Sequence, residues 1–460
     1  MTHNFFRPIL AILLLFIPLY PKFPLSFAPG SQVAFRLDDI VILAAAIVWL
    51  IYQTKRHFPI LKSKITWIIL TYFIAIILST INAILVYQIT PTHLLLLHLA
   101  RRFEYLSVFF ITLEAIKHRS DIRFVNVFTI IAFMGVFIYG MGQKYFHFPI
   151  ISTMNFEFAK GQLLQMDFWS RISATFAGHY DLAIYLSVVS VIFFGLFLIQ
   201  KNLTSRFALL ITWLMSFYLL TLTAARISVF AYWGGITLLC LLQKRLFWIV
   251  PTSLLVLTSI ANSKDLNQRL LATIPSLKTY LLQLRPTPTI APPPPPTAAP
   301  VLPPIITKIK PTPALIKLPT PTIFRHRPEE FPPVDADAGV ARSGQIRFNA
   351  EWPRAITAFN KNRLFGTGMG SITLATDNDY LRSLGETGLL GFLTFASIFI
   401  YLFLLTLKAH PPVNRILFTA TIITLINATF IDVFEASKTA YLFWIMMAIY
   451  YRLLTLNEKN

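Results

Sequence analysis

Arginines recurring in otherwise greasy sequence are the first chemical clue. Arg101 and Arg102 interrupt LLLLHLARRFEYLSVFF, Arg171 opens RISATFAGHYDLA, and Arg226 sits in LTLTAARISVF. From Ile346 to Gly391 the chain reads IRFNAEWPRAITAFNKNRLFGTGMGSITLATDNDYLRSLGETGLLG, a polar stretch carrying Arg347, Asp377 and Glu386. Ionisable side chains at membrane depth are costly and default to functional candidates. Several guanidinium forks from separate segments match the oxygens of a dianion such as a pyrophosphate.

Each residue also has a plainer reading. Arg102 and Arg363 suit the commoner role of interface anchors that reach to the headgroups, and Arg354 that of a solvated loop charge. Arg226 lies in a tight apolar turn between Ala225 and Ile227, where function is the better reading. GTGMG (366–370) looks like a phosphate-cradling loop, but no strand precedes it, and a tight turn of small residues fits better. His179, alone at a helix start, reads as a satisfied polar residue, and Trp352 as a headgroup-level anchor. No spacing of His, Cys, Asp or Glu implies a metal, and no cofactor is called for.

The elements that must position these groups are membrane spans. Of 460 residues, 55% are hydrophobic and only 13% charged, too apolar for a soluble globular chain. Mean hydropathy is +0.63. Apolar runs of ~17–25 residues, each enough to cross the hydrocarbon, recur along the chain. About twelve are readable: near Ile9–Phe27, Ile40–Tyr52, Trp67–Val86, Leu96–Ile116, Val125–Met141, Leu182–Gln200, Phe207–Leu222, Ile227–Gln243, Phe247–Ala261, Leu389–Leu407, Ile416–Ile431 and Tyr441–Leu454. The expected fold is therefore an all-α polytopic membrane protein. The lone cysteine, Cys240, lies inside a span and reads as a packing residue.

Charge gives the orientation. The connectors KRHFPILKSK (55–64), KHRSDIR (117–123), KNLTSR (201–206), QKR (243–245) and KAHPPVNR (408–415) are short, basic and fall on alternate sides. They mark the cytoplasmic face, which also accounts for the formal charge of +20 without invoking nucleic acid. Both termini then lie inside and residues 262–387 outside. This divides the chain into nine spans (1–262), a tether (263–340), an extracytoplasmic catalytic loop (341–388) and three last spans (389–460). Within the tether, 264–284 reads as an interfacial amphipathic helix and 285–333 as a Pro- and Thr-rich spacer.

Together these residues resemble the O-antigen ligase and O-antigen polymerase superfamily. Arg347, Trp352 and Ala358 lead to a G-x-G-x-G turn (Gly366, Gly368, Gly370). A segment similar to His-Asn-x-Tyr-Leu, here Asp377, Asn378, Asp379, Tyr380 and Leu381, precedes Glu386, Gly388 and Gly391. Upstream, RISATFAGHYDLA is similar to Arg-x-x-Gly-Thr-Phe-x-x-x-Asn-x-x-Ala, and LTAARISV to Thr-x-Ser-Arg-Gly-Ala. Two departures matter: Asp377 replaces the family histidine, which is thought to act as the base, and Ala225 replaces the serine before the key arginine.

The resemblance implies an inverting, metal-independent glycosyltransferase at the outer face of the cytoplasmic membrane. Its donor would be a glycan on a polyprenyl pyrophosphate; its acceptor, a hydroxyl of a lipid, a growing polysaccharide or a protein. Arg226 and Arg347, with Arg171 and Arg101, would hold the diphosphate, and Asp377 would face the attacking hydroxyl as base or orienting group. Trp352, Asn378, Tyr380 and Glu386 would complete the substrate site. Two other classes are weighed: a transporter of polysaccharide or lipid-linked sugar, and a non-catalytic assembly scaffold. A transporter would show a polar path at mid-membrane and often internal repeats. Here the polar groups gather at one face and no repeat is evident.

Overall fold

An apolar run in hydrocarbon must pair its own N–H and C=O groups, so each run read above is helical. A computed structural model describes residues 3–27, 34–88, 92–151, 163–164, 171–263, 267, 346–372, 375–408 and 412–456. Its helices are α1 (His3–Leu19), α2 (Leu37–Lys55), α3 (Lys64–Leu85), α4 (Thr92–Ala115), α5 (Asp121–Phe146) and α6 (His179–Ile199). They continue with α7 (Leu203–Leu222), α8 (Arg226–Leu242), α9 (Ile249–Asn262), α10 (Trp352–Lys361), α11 (Asp379–Lys408), α12 (Pro412–Asn427) and α13 (Ser437–Leu456). Seven of them, α2, α3, α5, α6, α7, α11 and α13, are long and apolar enough to cross a membrane. Helices α1, α8, α9 and α12 are apolar but shorter. The chain is a multi-pass, predominantly helical membrane protein.

Two helix boundaries differ most from the sequence reading. The first helix stops at Leu19, not Phe27, because Pro18, Pro21 and Pro24 cannot supply backbone donors to continue it. Residues Pro24–Phe27 instead pair as a strand with Ala34–Arg36. The tenth apolar helix begins at Asp379, not Leu389, and kinks at Gly388, whose backbone is non-helical. A second small ribbon pairs Ile150–Ile151 with Leu163–Leu164. The proposed amphipathic helix and Pro-rich tether lie outside the described residues, apart from Asn267.

Helices α6 and α13 form the interior, each with 78% of its apolar window buried, against 22% for the lipid-facing α2. Helix α6 packs on α7, α8 and α12, and α13 on α4 and α12, while α3 lies along α11. One buried cation ties the centre together. Lys438, at the head of α13, is fully enclosed and donates to the Thr175 carbonyl at 2.8 Å and the Pro18 carbonyl at 3.2 Å. Its ammonium also sits 4.8 Å from the Phe176 ring centroid.

Small residues let helices approach closely. In α8 two adjacent glycines have opposite fates: a Cβ at Gly235 would run into Ile423 of α12, whereas a Cβ at Gly234 would meet nothing. We expect Gly235→Leu to cost at least ~1–3 kcal/mol through overpacking. Gly234→Ala should be neutral or gain up to ~1 kcal/mol of helix propensity. Thermal unfolding of both variants in detergent checks this pair, and equal midpoints would sink the assignment of the α8–α12 contact.

Candidate functional site

Three turns carry arginines into one region, where each feels the charge of its neighbours. Arg171 begins a loop (171–178) held by Gln143 of α5, whose Oε1 accepts from the backbone of Ala174 at 2.7 Å and of Ser173 at 3.2 Å. The same side chain donates to the Ala174 carbonyl at 3.0 Å. Ala174 is left-handed, with φ +47°. Arg226 is the first residue of α8, two residues after left-handed Ala224. Arg347 opens a single π-turn, Arg347–Glu351, and is 9% exposed. Its Nε and Nη2 donate to Asp377 Oδ2 at 2.8 and 2.7 Å.

Two of these arginines, Arg171 and Arg347, meet at Tyr180, near the start of α6. Its hydroxyl is within hydrogen-bonding reach of Arg171 and Arg347 and feels the charge of both. Arg226 is acted on by the Tyr180 hydroxyl and by the like charges of Arg171 and Arg347. Arg171 Nη1 also donates to His179 Nε2 at 2.6 Å. Arginine has no acceptor, so His179 Nε2 must accept and its other ring nitrogen must carry the proton. Burial pushes the Asp377 carboxyl above its usual range, with Arg347 pulling the other way. Burial also works against the charge on Arg347, but Asp377 and Tyr180 outweigh it and keep the guanidinium protonated.

Beside this cluster lies a cavity of about 320 Å³, reached by Tyr180 and Asp377. Lys22, Arg36 and Arg101 line it together with Asp181 and Asp432. Such mixed lining gives both donors and acceptors, as a hydroxyl-rich ligand requires. Lys22 is 3% exposed, and burial, helped by repulsion from Arg36, pushes its ammonium down to about 8.

Beside the cavity the ionic groups are paired and buried. Arg382 donates to the Ile372 carbonyl at 2.8 Å, to Asp432 at 3.0 Å and to Glu386 at 3.3 Å. Asp379 accepts from the backbone of Val433 at 2.6 Å and Phe434 at 3.2 Å. Arg102 pairs with Glu435 and donates to the Phe434 carbonyl at 2.8 Å, so it is a tertiary clamp and not a headgroup anchor. In the glycine turn, Gly366, Gly368 and Gly370 all have positive φ. A Cβ at Gly366 would stand 2.6 Å from the Gly388 nitrogen, and one at Gly370 would strike the His98 ring. The amides of Gly366, Thr367 and Gly368 bond to the carbonyls of Asn362, Gly385 and Glu386. This is a tight structural turn, not a phosphate cradle.

The structure thus brings Arg171, Arg226, Arg347 and Asp377 together, with Arg101 on the wall of the adjoining cavity. Glu386 belongs to the Arg382 network and is 2% exposed. Asn378 caps α11, its Oδ1 accepting from the amides of Tyr380 at 3.1 Å and Leu381 at 3.0 Å. The Tyr380 hydroxyl donates to the Leu425 carbonyl at 2.7 Å. The Trp352 ring lies against Phe348 and Phe430, with centroids at 4.8 and 6.2 Å. Sequence reasoning passed over Tyr180, Gln143 and Arg382. Only Arg382 left a trace, as a cation four residues before Glu386 on one helical face. No protein-family model matches the chain, and comparison with curated proteins finds no match. Fold and geometry define a multi-pass membrane protein with an arginine cluster beside a polar cavity, the two sharing Tyr180 and Asp377.

An L-residue in the left-handed region costs ~1–2 kcal/mol, a cost glycine does not bear. Ala174 stands where the motif quoted above has glycine. We expect Ala174→Gly to raise stability by up to ~1 kcal/mol, with no loss of the Gln143 latch, which holds backbone atoms. An unchanged or lowered unfolding midpoint would show that Ala174 is not under strain.

Proposed function

We propose that the chain is a membrane glycosyltransferase of the O-antigen ligase and polymerase type. In this reading it has twelve spans in the cytoplasmic membrane, both termini inside, and the arginine cluster facing out. The observation that carries it is the meeting of Arg171 and Arg347 at the Tyr180 hydroxyl, with Arg226 near enough to feel all three, beside the polar cavity. Gathering like charges in a half-buried place is unfavourable unless an anion offsets them. Arg226 is also a cation at a helix N-terminus, the end of the dipole that favours negative charge. A lipid-linked diphosphate answers both.

The chemistry follows from the positions. The diphosphate of a polyprenyl-linked glycan binds the guanidinium trio, with its first sugar toward the cavity. The acceptor hydroxyl, of a lipid, a polysaccharide or a protein, approaches on the Asp377 side. Its oxygen bonds to the anomeric carbon from the face opposite the diphosphate, and the carbon–oxygen bond to phosphate breaks with its electron pair. The three arginines stabilise the charge that grows on the leaving diphosphate. The activation energy resides in that bond, so neither ATP nor a nucleotide sugar takes part.

Purified protein in detergent, given a lipid-linked oligosaccharide and an acceptor, should release polyprenyl diphosphate. Arg226→Ala and Arg347→Ala should each lower release ~10²-fold or more while the protein still inserts. Arg347→Lys should not restore it, because two nitrogens of one fork hold Asp377. Normal turnover in both alanine variants would overturn the diphosphate clamp, and no release by the unaltered protein would favour transport. Orientation has its own check. With Cys240 replaced by serine, a cysteine at Gln88 should react with a membrane-impermeant maleimide on intact cells, and one at Lys62 should not.

A further inference from the structure

A buried ammonium needs acceptors, and two buried lysines meet that need differently. Lys438 donates to the Thr175 and Pro18 carbonyls. Lys22, four residues beyond Pro18, is 3% exposed and lines the cavity of about 320 Å³. Among the described residues its ammonium has no hydrogen-bond or ion-pair partner. Arg36 lines the same cavity, and its Nε is buried and likewise unpartnered among them. The carboxylates nearby do not answer these cations. Asp377, Asp432 and Glu435, on the cavity wall, already pair with Arg347, Arg382 and Arg102. Asp38 is 1% exposed, does not line the cavity, and has no hydrogen bond to either oxygen among the described residues. Of the carboxylates on the wall, Asp181 alone stands outside the three pairs.

We propose that the cavity is a subsite for a sugar bearing a carboxylate, with the acid group at Lys22 and Arg36 and a ring hydroxyl at Asp181. The inference rests on the glycosyltransferase reading above, in which the donor's first sugar points toward the cavity, and it names the class of that sugar. A carboxylate brings two acceptor oxygens and one negative charge to an ammonium and a guanidinium that have neither. Lys22 and Arg36 also repel each other, which a bound anion relieves. Asp181 decides between anions. A diphosphate offers only acceptors and would be repelled by that carboxylate, whereas a uronic acid also carries hydroxyls that donate to it. A neutral sugar would satisfy Asp181 and leave the two cations without a counter-charge.

The test uses the full-length protein in detergent and two probes that differ in one group: methyl glucuronide, with a carboxylate, and methyl glucoside, with a hydroxymethyl in its place. Titration followed by saturation-transfer NMR should show the glucuronide binding ~10-fold or more tightly, the worth of one hydrogen bond to a charged group. Lys22→Gln should remove that preference and leave glucoside affinity little changed. If Lys22→Gln fails to fold, Arg36→Gln serves, with the preference narrowed. Equal affinities in the unaltered protein, or a preference untouched in the variant that folds, would overturn the subsite. Inorganic pyrophosphate that displaces the glucuronide and itself binds more weakly to Lys22→Gln would give the cavity to the diphosphate, and would overturn it too. Equal release of polyprenyl diphosphate from donors with acidic and neutral first sugars would also overturn it, and would leave glycosyl transfer standing. A glucuronide preference with no such release from any donor would uphold the subsite and overturn the transferase reading.

Discussion

A buried guanidinium, that of Arg382, is the constraint on which the corner around Asp377 depends. Burying an ion costs several kcal/mol even after relaxation, and its partners offset this only with full hydrogen bonding. Arg382 reaches three places at once: Ile372 beyond the glycine turn, Glu386 one turn along α11, and Asp432 after α12. Asp432 in turn accepts from the Thr376 amide at 3.0 Å. The segment carrying Asp377 is thereby fixed to α11 on one side and to the 428–436 turn on the other. Asp379 repeats the tie, its own amide donating to the Ala428 carbonyl at 3.0 Å while its carboxylate collects two amides from residues 433 and 434. Arg382 keeps several acidic partners at once, so the segments they belong to are held to one another through a single side chain.

Charge balance separates the two groups of arginines. Arg102 and Arg382 meet carboxylates, carbonyls and each other's partners in the interior, and their geometry is explained by folding alone. Arg171 and Arg347 meet a tyrosine hydroxyl, Arg226 feels the charge of both, and Asp377 joins the group through Arg347. The same criterion gives Glu386 a structural place despite its motif: its carboxylate is committed to Arg382, and its carbonyl accepts from Ser79 Oγ at 2.8 Å and from Gly368.

Spans were legible because hydrocarbon imposes length and polarity on every segment that crosses it. Boundaries near proline and near the outer face were not. Helix α11 begins ten residues before its apolar run, since the first part is paid for by Asn378 capping and the Arg382 network and not by lipid. Within the site, arginines were readable because a guanidinium in greasy sequence is anomalous. Tyr180 and Gln143 were not, because a tyrosine or glutamine at a helix end is ordinary, and only tertiary contact gives it meaning.

Backbone strain points to the same place as charge. Three left-handed residues other than glycine lie at the site: Ala174 after Arg171, Ala224 before Arg226, and Asp377 itself. Each such residue costs ~1–3 kcal/mol and persists only where its surroundings over-determine it. The restraints can be named in each case. Gln143 holds both the amide and the carbonyl of Ala174, Thr223 is buried beneath Ala224 with its hydroxyl bonded to the Leu220 carbonyl, and Arg347 grips Asp377. A chain free to relax these turns would swing Arg171 and Arg226 apart, which electrostatic repulsion alone would favour. Strain and repulsion are thus both held in check by the same interior contacts, and the guanidiniums are fixed by the fold itself. In the glycosyl transfer proposed above, preorganised charge of this kind would stabilise the transition state without reorganising during the reaction.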